Sequence, residues 1–135
     1  MTKITLLRPV VVKAIVTESF KELYVRELED ALRRVEDLLG QVETQIRRME
    51  LERQITPQTR AVRQQLEVER QRHEALRAEL RDRLREARAL ELNTEFPHLT
   101  VDAHVEVQVG DNLFQKLGRT EIVVKDGIVM EIRGG

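Results

Sequence analysis

The sequence contains no cysteine. That excludes disulfides, thiolate metal ligands and cysteine nucleophiles, and it fits a reducing cytoplasm. Tryptophan is absent as well, and aromatics make up only 3% of the 135 residues. A compact globule of this length ordinarily uses more of them, so the core is expected to be thin and drawn out along a seam. Long apolar runs are also missing. The first nine residues lack the apolar centre of a signal peptide, and no run approaches the roughly 20 residues of a membrane span. The expected setting is therefore cytoplasmic, without a membrane partner. Nor is there an excess of one charge: 35% of residues are charged, yet the formal net charge is −1. Interspersed charge suits long solvated helices rather than a disordered tail. It also argues against strong non-specific nucleic-acid binding by the whole chain.

What is present is a heptad pattern that reverses. Val25, Leu28, Leu32, Val35, Leu39, Val42, Ile46 and Met49 alternate by three and four, the spacing of a coiled-coil seam. Ser19 with Glu22 reads as a capping box ahead of it. Gly40 sits off the seam, so the helix is expected to run through it. Thr56-Pro57 is a helix start, after which Val62, Leu66, Glu69, His73, Leu76, Leu80, Arg83, Ala87 and Leu90 return along the same period. Two antiparallel registers satisfy the pattern. The favoured one faces Val42 with Leu66, Val35 with His73 and Leu28 with Leu80; the other is shifted by one heptad. Further apolar positions flank the seam: Tyr24, Ala31 and Leu38 on the first helix, Ala61, Val68 and Ala75 on the second. They either widen the stripe or form a second packing face for another chain.

Strand patterns lie outside both helices. Residues 10–16 are mostly β-branched, with Pro9 marking an edge or a strand start. Residues 101–109 alternate strictly, as a half-buried strand does. Leu113–Leu117 follows neither period clearly. Asp126-Gly127 between apolar runs is a hairpin turn signal, because a type I′ turn needs positive φ at both central residues. The expected fold is α+β. A long antiparallel helical hairpin, residues 19–92, is inserted after the first strand of a small antiparallel β-sheet or partly open barrel formed by residues 1–18 and 93–135.

The terminal segments resemble the YlqD family of small bacterial proteins. The resemblance is carried by Val12-Lys13-Ala14-Ile15-Val16-Thr17-Glu18, by Val105-Glu106-Val107-Gln108-Val109-Gly110-Asp111, and by the stretch Ile122-Val123-Val124-Lys125-Asp126-Gly127-Ile128-Val129-Met130-Glu131-Ile132-Arg133. It implies a bacterial cytoplasmic protein with a charged helical middle. It supplies no catalytic residue, substrate or cofactor.

Few residues carry chemistry. His73-Glu74 opens a helical zinc motif, but Arg77 stands where the second histidine is required. Asp102, His104 and Glu106 share one face of a strand, with His98 just outside it; carboxylates and imidazoles together can bind a divalent metal, though exposed strand residues look alike by default. No nucleophile elbow, phosphate loop or dinucleotide fingerprint occurs. No cofactor is expected, and no enzymatic role. The second helix carries many arginines, among them Arg77, Arg81 and Arg85, and the first leans acidic. The bland interpretation is complementarity between the arms; the functional one is an arginine stripe for RNA phosphates. The expected function is a scaffold or interaction module that self-associates and meets a protein partner. The alternative is an RNA- or ribosome-associated accessory factor.

Overall fold

The structure, a computed structural model, describes residues 2–52 and 54–134. Its elements run β1 (Lys3–Ile15), α1 (Glu18–Glu50), α2 (Pro57–Arg88), β2 (Glu95–Gln108), α3 (Leu113–Lys116), β3 (Thr120–Lys125) and β4 (Ile128–Arg133). This is the expected α+β arrangement, with the helical hairpin following the first strand. The chain divides into two compact units, Glu22–Ala89 and the combination of Met1–Lys21 with Leu90–Gly135.

The β unit is one open sheet in the order β2-β1-β3-β4. The expectation was an antiparallel sheet, and the observed one is mixed. β1 pairs antiparallel with β2, and β3 with β4, but β1 and β3 run parallel over Val10–Ala14 and Thr120–Val124. β1 also begins earlier than its β-branched core implied, and Pro9 lies inside it. The reason is positional. At Pro9 the strand pairs with β2 alone, because the β3 ladder begins at Val10, so the missing N–H removes no bond on the open side. β2 likewise starts at Glu95 and contains Pro97, at the outer edge of the sheet. There Val12 pairs with Leu99 and Lys13 with Pro97, which leaves His98 as the extra residue of a bulge. His98 is thus within the strand.

One turn closes as the sequence implied, and the cap of α1 falls earlier than expected. Asp126 and Gly127 have φ of 49° and 83°, the left-handed pair a type I′ turn demands. Thr17, not Ser19, caps α1: its hydroxyl oxygen accepts from the Phe20 amide at 3.0 Å. The same hydroxyl donates to the Asp126 carboxylate at 2.6 Å, so one threonine starts a helix and pins the β3–β4 turn. The ambiguous segment after β2 is a single helical turn, α3, capped by the Asn112 side chain.

In the helical unit α1 passes through Gly40 unbroken, and Thr56 caps α2 with Pro57 next. The register is the shifted one. Arg81 reaches Glu36 at 3.4 Å and Arg88 reaches Glu29 at 3.5 Å, which levels Val35 with Leu80 and Leu28 with Ala87. Apolar matching explains the choice. The favoured register set Ala87 near Lys21, whereas the observed one gathers Leu28, Val35, Leu80, Leu84 and Ala87 into one cluster. A second cluster joins Val42, Ile46 and Leu66, with Met49 against it. Leu84 also takes the seam place expected of Arg83, which is exposed and paired with Glu79. An α-helix drifts about 20° per heptad against a strict seven-residue repeat, so the seam passes to the neighbouring position.

Leu84 is 6% exposed. Leu84→Ala should cost about 2–5 kcal/mol, and Arg83→Ala less than about 1 kcal/mol. Urea unfolding of both variants measures the difference, and the favoured register predicts a smaller cost at Leu84.

Candidate functional site

The metal candidates do not converge. Asp102, His104 and Glu106 are all exposed on β2, and Glu106 stands 3.8 Å from the Lys3 amine. The His98 ring lies edge-on to Phe20, centroids 5.1 Å apart, in an aromatic group completed by Phe96. Among the described residues, no group of three histidines or carboxylates is placed to hold a metal ion.

The helical candidates divide. Tyr24 and Ala31 pack against the first apolar cluster and so widen the seam. Leu38 and Val68 remain exposed, as do Ala61 and Ala75. Of the arginines proposed for phosphates, Arg81 pairs with Glu36 across the hairpin and Arg85 with Asp82 along α2. Arg63 to Glu50 is a third pair between the arms. These cross-arm pairs are the expected complementarity. Arg77 is half-buried. Glu69 and His73 are half-buried, on the stretch of α2 between Leu66 of one apolar cluster and Leu80 of the other. The tip of the hairpin presents Leu51 and Ile55; Arg53 lies outside the described residues.

The densest polar arrangement is one the sequence reading passed over. Strand alternation puts Glu95 of β2, Lys13 of β1, Glu121 of β3, and Glu131 and Arg133 of β4 on one face of the sheet. Arg133 grips Glu95 with two parallel bonds of 2.9 and 2.6 Å. It also donates to Glu131 at 3.0 Å and lies 3.8 Å from Glu121, which in turn meets Lys13 at 3.1 Å. The fork joins the two edge strands of the sheet. Val123, 2% exposed, sits on the same face between Lys13 and Glu131, so the stems of charged side chains cover an apolar residue. The available signal was charge inside apolar strands: a lone Lys13 among valines, and Glu131-Ile132-Arg133 closing the last strand.

The family model for YlqD protein matches residues 4–133. The chain belongs to the YlqD family. It is also similar to a crystal structure of a protein of unknown function from Synechococcus sp. WH 8102, with a TM-score of 0.80 and 27% identity. That similarity covers 98% of this chain and 95% of the other. No curated protein matches the sequence. The YlqD match takes in both strand regions and the whole hairpin, including every member of the Glu95–Arg133 network. No helix among the described residues is long and apolar enough to cross a membrane.

The network has a pH signature. Its fork with Arg133 holds the Glu95 carboxyl below the ordinary carboxylate range, against partial burial, and the charges of Arg133 and Lys13 add to the effect. Its bonds to Glu95 and Glu131 hold Arg133 above its own usual value. A carboxyl lowered in the folded state stabilises fully above its unfolded-state value, and that contribution fades as pH falls through the folded one. Glu95→Gln should therefore lower thermal stability at neutral pH, with the gap to wild type narrowing as pH drops below about 4. Melting temperatures from about pH 2 to 7 check this; a constant gap would contradict it.

Proposed function

We propose that this chain is a non-enzymatic interaction module that associates with itself. The observation that carries the reading is an imbalance in the β unit. Its buried apolar residues are Val10, Ala14, Val16 and Val123, all modest in size. On β4 alone, Ile128, Val129, Met130 and Ile132 are each more than half exposed. Phe114 and Val109 stand 85% and 84% exposed. Scattered exposed apolar side chains are ordinary, but apolar surface concentrated on one strand marks an interaction site.

The chemistry supports the same reading. Two concave surfaces on the helical unit are lined largely by charged or polar side chains, such as Glu36, Gln41 and Arg47 in one place and Glu50, Thr59 and Arg63 in another, and one on the strands is lined by Lys3, Ile4, Val107 and Val109. A catalytic pocket would combine enclosure with a few convergent polar groups. The RNA reading draws on α2, where ion pairing already engages Arg81 and Arg85. Phosphates would have to displace those carboxylates, so protein association is preferred.

Light scattering at high micromolar concentration should give a mass above that of one chain. A monomer throughout would overturn the proposal. RNA binding that falls steeply with salt and is lost when Arg77, Arg81 and Arg85 become Glu would establish the other reading instead.

A further inference from the structure

We infer that the self-association surface is the open edge of β4, joined to the same edge of a second copy about a twofold axis at Ile132. The inference rests on the self-association reading and specifies its geometry. β4 ends the sheet, so one side of it has no partner strand among the described residues. An edge strand with unpaired backbone groups is a template for another strand, and proteins normally blunt such edges. β2, the opposite edge, is blunted by Pro97 and by the His98 bulge. β4 carries no proline, and its apolar side chains are more than half exposed.

Charge selects a second copy as the occupant. Glu131 and Arg133 stand two residues apart, and therefore on one face of the strand. In an antiparallel pair centred on Ile132, each Glu131 faces the partner's Arg133, and the two Ile132 side chains meet. The opposite charges of one chain are thus complementary to themselves under a twofold rotation, which an isologous interface requires. The half-exposed Glu131 is where the ion network ends within one chain. The pairing continues that network onto the neighbouring sheet, from the partner's Arg133 through Glu131 to Arg133 and Glu95. Cross-strand pairs of opposite charge and of β-branched residues both favour such a ladder.

The chain has no native cysteine, so a single introduced thiol reports the axis directly. Residues directly opposed in an antiparallel pair have Cα atoms about 4.5–5.5 Å apart, inside the range a disulfide spans. Ile132 is 67% exposed, so Ile132→Cys should fold and, under mild oxidation, run mainly as a covalent dimer on a non-reducing gel. Met130→Cys lies two residues off the axis. Its two copies would be roughly 13 Å apart along the strands, so this variant should stay uncrosslinked. Self-association of the wild type without cross-linking of Ile132→Cys would overturn the β4 axis and leave the interaction-module reading standing. Preferential cross-linking of Met130→Cys would overturn it too. A wild type that is monomeric by light scattering would overturn both.

Discussion

The fork between Arg133 and Glu95 is the contact that ties the two edge strands of the β unit to each other. It joins the last strand to the strand that follows the helical hairpin, across a face that β1 and β3 occupy between them. Exposed ion pairs taken singly contribute little. This one is bidentate, and it belongs to a network that includes Glu121, Glu131 and Lys13. On that face the charged side chains flank the buried Val123. The backbone ladder with β3 holds β4 along its length, and the fork adds a direct link from β4 to β2.

That constraint organises the functional reading. Charged side chains close one face over Val123, and β4 is left with an open edge and outward apolar groups. The helical unit solves a parallel problem differently. Its apolar residues fall into two clusters whose matching sets the register, and ion pairs between an acidic and a basic arm accompany it. Of the arginines that resembled a phosphate stripe, Arg81 takes part in that pairing and Arg85 pairs with Asp82 along α2. In both units charged side chains pair across neighbouring elements, and apolar side chains remain exposed beside them.

Local chemistry made much of this legible in the sequence. Thr56-Pro57, Asp126-Gly127 and the heptads of α1 each carry a short-range physical requirement, and each appears where it was expected. The register of the hairpin was less legible, because a one-heptad shift preserves the a/d pattern, and the alternatives differ in which residues each end brings together, such as Ala87 with Leu28 and Arg88 with Glu29. Leu84 replaced Arg83 at the seam through helical drift that a strict repeat conceals. The parallel pairing of β1 with β3 leaves no local mark at all. For the same reason the Glu95–Arg133 site was missed. Its residues are 38 apart in sequence, and only the strand order brings them together.

The central claim is that this fork ties β4 to β2 and so adds to the hold of its ladder with β3. Amide hydrogen exchange on β4 tests it across four proteins: wild type, Glu95→Gln, Arg133→Gln and the double variant. If the two side chains act as one interaction, either single change should loosen β4 nearly as much as both together. Additive effects, or β4 protection unchanged in all four, would contradict the account.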